Sequence, residues 1–224
     1  MSTTKRASQK KDHDFSFVSD RRKESRLSGF TLIETLVAVS IIAIAVTGPL
    51  FTASRALVAA QTARDQLIAS HLAQEGIEYV RVMRDDEYIK WYRNNVANVS
   101  TVAWNGFITG NDPASITNCR GQLCSLDTTK PMGASLVEND TSKSLDFCTG
   151  AAPLGNCAPL YPSAANNTYS WNINANYKGT LFTRTIKAVD GVSLNDEKII
   201  STVSWSFHGT PYTVTVTDHL TPWQ

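Results

Sequence analysis

The residues that invite chemistry in this chain are one carboxylate, the glycine ahead of it and a set of cysteines. Glu34 stands inside GFTLIETLVAVSIIAIAV, residues 29–46, an otherwise apolar run. A charged side chain at the centre of a membrane helix costs about 2.5 to 3.5 kcal/mol on insertion scales. Glu34 therefore either serves the helix end or is kept for a partner. Thr31-Leu32-Ile33-Glu34 matches the S/T-x-x-E capping box, which gives the first option; a cation on another chain gives the second. The four cysteines, Cys119, Cys124, Cys148 and Cys157, allow three pairings. Their short separations favour Cys119 with Cys124 and Cys148 with Cys157. A zinc site is not expected, because the spacing is not CxxC and no histidine lies near. His13, His71, His208 and His219 are scattered without ligand spacing, and GxSxG, HExxH, Walker and dinucleotide glycine patterns are missing. Neither an enzyme nor a cofactor is expected.

The elements that must position Glu34 are equally plain. From Thr35 to Ser54 there are twenty consecutive uncharged residues. Phe30 to Phe51 as a helix spans about 33 Å, the thickness of a hydrocarbon core. A secretory signal has a shorter apolar region and a small-x-small cleavage site. Arg21, Arg22, Lys23 and Arg26 precede the run, so the positive-inside rule places the N-terminus in the cytoplasm and the chain beyond about residue 55 outside. All four cysteines fall in that outer part, where disulfides persist. Residues 1–29 hold eight Lys/Arg and four Asp/Glu, leaving 13 basic and 16 acidic residues (21−8 and 20−4) beyond them. The outer part is mildly acidic and offers no basic face to phosphates, so nucleic-acid binding is not expected.

A basic leader ending in Gly29, then Phe30-Thr31-Leu32-Ile33-Glu34 and about twenty apolar residues, resembles the processing signal of type IV prepilins and pseudopilins. The resemblance implies cleavage after Gly29 by a prepilin peptidase that also methylates the new N-terminus at Phe30. Glu34 becomes the fifth residue of the mature chain. An unperturbed α-amine has a pKa of about 7.7 to 8 and is largely protonated at neutral pH. The Phe30 amine of one subunit then pairs with Glu34 of another, where low dielectric strengthens the attraction. Gly29 also reads as a turn residue, but a glycine suits the close approach of a peptidase backbone. The resemblance further implies partners: the peptidase/methyltransferase, other pilin subunits and the inner-membrane pilus assembly machinery. His71 to Arg81, HLAQEGIEYVR, is similar to the LAxEGxExxR stretch of minor pilins of the V type. From the residues alone, Glu75, Glu78 and Arg81 read as a solvated helix face with an i,i+3 pair.

Four segments follow: a cleaved leader over 1–29, a transmembrane assembly helix over 30–54, its amphipathic continuation over 55–86, and an outer disulfide-containing β domain over 87–224. Gly48-Pro49 predicts a kink, or a proline tolerated in a membrane helix. Leu57, Ala60, Ala63, Leu67, Leu72, Gly76, Val80 and Met83 recur at mostly three- to five-residue intervals and predict the packed face. Residues 110–167 read as a disulfide-stapled surface region with short strands. Strands are predicted at Tyr169–Ile173, Leu181–Ala188, Ile199–Phe207 and Tyr212–Thr217, the last two forming a hairpin about His208-Gly209-Thr210-Pro211. Val203, Trp205 and Phe207 face the helix, with Trp205 in the core. The fold class is α+β and pilin-like, a long N-terminal helix on a C-terminal antiparallel sheet. The function expected is a filament subunit that starts in the cytoplasmic membrane and ends in an extracellular or periplasmic filament. The alternative is a single-pass, membrane-tethered binding module.

Overall fold

The computed structural model describes residues 29–110, 115–134, 142–148, 157–163, 167–173, 177–191 and 195–223. Residues 1–28 of the leader, with its basic cluster and His13, lie outside the described residues, as does much of the 110–167 stretch. Two compact units are present, Met1–Thr52 and Ala53–Gln224. Helix α1, Leu32–Arg93, contributes residues to both, and in the second unit α2 is Val99–Thr109.

The second unit is a helix-on-sheet domain. Its five-stranded antiparallel sheet has the order β2-β1-β5-β6-β7, with β1 Leu123–Leu126, β2 Leu145–Cys148, β5 Phe182–Asp190, β6 Glu197–Phe207 and β7 Thr210–Leu220. A two-stranded sheet joins β3, Tyr161–Ser163, to β4, Thr168–Ser170. A helix on an antiparallel sheet is the α+β, pilin-like architecture expected.

Helix α1 buries Ala69, Leu72, Ala73, Gly76, Ile77, Val80 and Met83, a stripe with helical period. This differs from the predicted face at its lower end: Leu57 and Leu67 are exposed, and Ala69, Ala73 and Ile77 pack instead. The upper part of the stripe meets Trp104 and Phe107 of α2 and Ile186 and Ile199 of the sheet; the lower part meets Leu160, Trp171, Phe182, Val203 and Trp205. Trp205 is 6% exposed, stacks on Tyr212 and touches Phe182.

Four features differ from expectation. Helix α1 runs on to Arg93, and α2 follows within the stretch read as wholly β. The β6–β7 turn is the pair His208-Gly209, both at positive φ (49° and 79°), so Pro211 lies inside β7 opposite Ser206. Phe207 and Thr210 flank that tight turn, so the next pair is non-hydrogen-bonded and the missing Pro211 donor faces the open sheet edge, where proline is tolerated. The first predicted strand, Tyr169–Ile173, shortens to Thr168–Ser170, with Ile173 78% exposed beyond it.

Gly76 is where the helix comes closest to the sheet. A Cβ there would lie 2.5 Å from Ser201 Oγ and 2.9 Å from Ile186 Cδ1. Overpacking costs about 1 to 3 kcal/mol, against about 1 kcal/mol gained in helix propensity. Gly76→Ala is expected to lower the melting temperature by roughly 2–6 °C, followed by tryptophan fluorescence. A variant that melts higher than the native chain would show that the helix can move off the sheet.

Candidate functional site

In the first unit the N-terminal turn is built by Thr31. Its carbonyl accepts from the N–H groups of Glu34 (3.0 Å) and Thr35 (3.1 Å), and its Oγ1 also accepts from Glu34 N–H at 3.3 Å. This is the cap half of a capping box. The Glu34 carboxylate is exposed and has no hydrogen-bond or ion-pair partner among the described residues. Gly29, Phe30 and Thr31 precede the helix, and Phe30 is 78% exposed.

The turns that follow are apolar on every side. Leu32, Ile33, Leu36, Ile41, Ile44 and Leu50 are all more than 60% exposed, and none of the most apolar 18-residue stretch is buried within the structure. The hydroxyls in this run turn back on their own helix: Thr35 donates to Leu32 O, Ser40 to Leu36 O, Thr47 to Ala43 O and Thr52 to Pro49 O, at 2.6 to 2.9 Å. A helix that is apolar all round and leaves no such hydroxyl unbonded suits a bilayer or a bundle of like helices. This is a helix long and apolar enough to cross a membrane. Its helical assignment continues through Gly48 and Pro49.

The second unit carries the remaining candidates. The structure pairs Cys119 with Cys124 and Cys148 with Cys157, at Cα separations of 5.5 and 5.1 Å. The first bridge, 0% and 1% exposed at its two cysteines, sits in the core under β1. Among the described residues no group of three or more His, Cys, Asp or Glu is placed to hold a metal ion. His71 is exposed on α1, and His219 Nδ1 lies 2.9 Å from Asp196 Oδ2.

The solvated-face reading of Glu75, Glu78 and Arg81 needs correction at Glu75. Glu78 does pair with Arg81 at 2.6 Å, and Arg81 reaches Asp218 of β7 at 2.9 Å. Glu75, however, accepts from Arg184 Nη1 at 2.8 Å and from the Thr128 hydroxyl at 2.6 Å. Arg184 is fully buried, and its guanidinium also donates to the Leu126 carbonyl through Nε (3.2 Å) and Nη2 (2.9 Å) and to the Leu72 carbonyl through Nη1 (3.1 Å). Burial holds it below the usual arginine range, and Glu75 offsets part of that. Beside it, the buried Asp127 accepts from the Thr129 N–H and hydroxyl, the Ser170 hydroxyl and the Trp171 N–H. These groups tie α1, β1, β4 and β5 together. The legible signal was parity: Phe182, Arg184, Ile186 and Ala188 occupy the inward positions of β5, so a cation stood where an apolar side chain was due.

Residues 25–48 match the family model described as the prokaryotic N-terminal methylation motif. The match covers the Gly29–Glu34 signal and the first turns of α1. No curated protein and no solved structure matches the chain.

Proposed function

We propose, from the premise that this is a type IV prepilin-like chain, that it is a structural subunit of a type IV pilus or related filament, in the role of a minor pilin or pseudopilin. Prepilin peptidase cuts it after Gly29 and methylates Phe30. The observation that carries the reading is the coincidence of the methylation motif with a capped helix start and an uncovered apolar helix. Such a helix is stable in the cytoplasmic membrane and again among the helices of other subunits, so moving between the two exposes little apolar surface to water.

Glu34 acts in this scheme as an acceptor for the Phe30 amine of a neighbouring subunit, setting the stagger. Gly48-Pro49 supplies a local loosening, since the proline cannot donate to the preceding turn. The second unit lies outside the cytoplasmic membrane, where its disulfides persist, and afterwards decorates the filament. The work is assembly: the peptidase, sibling pilins and the inner-membrane assembly machinery are the partners.

The test is N-terminal sequencing and intact-mass analysis of the chain from membranes of cells with and without a prepilin peptidase. The expected product starts at methylated Phe30 only when the peptidase is present. A chain that keeps its leader in both backgrounds would leave a membrane-tethered module with Glu34 at a helix start.

A further inference from the structure

A cleft of about 440 Å³ opens in the second unit where α1 residues near Arg64 face the 177–180 loop and the tip of the β6–β7 hairpin. The acid in its wall, Asp65, is 8% exposed and already accepts from the Thr180 hydroxyl at 2.7 Å. The cations, Arg64 and Lys178, are exposed, and neither has an acidic counterion among the described residues. Aromatic surface lines the same space: Tyr169, Tyr177, and Phe207 with the His208 ring edge-on to it at 4.3 Å. Burial pushes the Tyr169 phenol up and the Arg64 cation offsets part of the rise, so that charge acts on the cleft wall. Gln61 and Ser206 add an amide and a hydroxyl.

We propose that this cleft binds a hexuronate unit of an acidic polysaccharide. Arg64 and Lys178 supply the positive charge that a carboxylate requires. The tyrosine rings give flat apolar walls for a sugar ring, and the polar side chains answer its hydroxyls, the combination of apolar lining with a few placed polar groups that binds small ligands. A bare acidic side chain of a peptide would use the cations and leave the aromatic walls and the amide idle, so the saccharide accounts for more of the lining. The inference is independent of how the chain is processed or assembled.

The test uses the full chain in detergent micelles, titrated with D-glucuronate and followed by saturation-transfer NMR. D-Glucose supplies the ring without the carboxylate, and N-acetylaspartate the carboxylate without the ring. Glucuronate is expected to bind saturably, with both comparators at least roughly tenfold weaker, and the double variant Arg64→Gln, Lys178→Gln is expected to lose about as much. Added salt weakens binding, because both cations are exposed. Both substitutions replace exposed side chains, so the fold stays intact. Absence of saturable binding, unchanged affinity in the double variant, or glucose binding as well as glucuronate would overturn the proposal. Equal affinity for N-acetylaspartate would also overturn it and make the cleft a docking surface for acidic peptide.

Discussion

A chain carrying Glu34→Gln is expected to be cut after Gly29 and held in the membrane as well as the native chain, yet to enter filaments roughly 10- to 100-fold less. Three observations make the substitution a clean one. The helix start is capped by Thr31, whose hydroxyl and carbonyl take the Glu34 N–H, so the carboxylate is not what closes the turn. Glutamine is in any case accepted at this place in a capping box. It also removes the cost of carrying a charge into hydrocarbon, so membrane retention improves if it changes at all. What glutamine loses is the charge-assisted part of a bond to a cation, worth about 1.5 to 3 kcal/mol. Among the described residues of its own chain Glu34 has no such cation, so the loss appears only when another subunit supplies one. Filament incorporation is read by immunoblot of sheared filaments against the membrane pool. Normal incorporation of the glutamine variant would sink the paired-charge mechanism while leaving cleavage at Gly29 intact.

The signal around Glu34 was legible because everything in it is local. A glycine, a capping threonine, a carboxylate and an apolar run lie in one continuous stretch, and each acts through its immediate neighbours. The strands of the hairpin were legible for a similar reason, since period-two alternation survives in Val203, Trp205 and Phe207 opposite Tyr212, Val214 and Val216. The turn between them was placed at the right residues but read two residues too long, because His208 takes a left-handed position where asparagine or aspartate is usual.

Helix α2 was hidden by its own composition. Val99, Thr101, Val102, Ile108 and Thr109 are β-branched and Gly106 is a poor helix former. Burial of Trp104, Phe107 and Ile108 against the core overrides those preferences. Left-handed Asn95 and Asn98, which break the chain between α1 and α2, were the available clue. The packed face of α1 was shifted for the opposite reason. The sequence continues its apolar pattern below Ala69, but the described residues put no sheet under Leu57 or Leu67. In the filament reading those side chains are left for neighbouring subunits.

Replacing Arg184 by methionine is expected to destabilise the second unit by about 2 to 4 kcal/mol, roughly 4–16 °C in melting temperature for a domain of this size. The argument turns on what the guanidinium serves. Its partner Glu75 has a side chain 45% exposed and keeps the Thr128 hydroxyl, so water can replace the lost cation there. The Leu126 carbonyl has no such recourse, since it lies in the core at the end of β1 and takes both Nε and Nη2. The Leu72 carbonyl keeps its place in the helix but loses a second donor. Methionine fills much of the volume and answers neither carbonyl. Glu75→Gln should cost less, about 1 to 2 kcal/mol, because the buried guanidinium loses its charged partner but keeps the Leu126 and Leu72 carbonyls. Arg184→Lys should fall between the two, because one ammonium cannot reproduce a planar fork aimed at two carbonyls and a carboxylate. Thermal melts followed by tryptophan fluorescence give the order directly. If Glu75→Gln proved as damaging as Arg184→Met, the ion pair rather than the carbonyl bonds would hold α1 to the sheet; if the methionine variant melted with the native chain, the buried cation would contribute no net stability to this core.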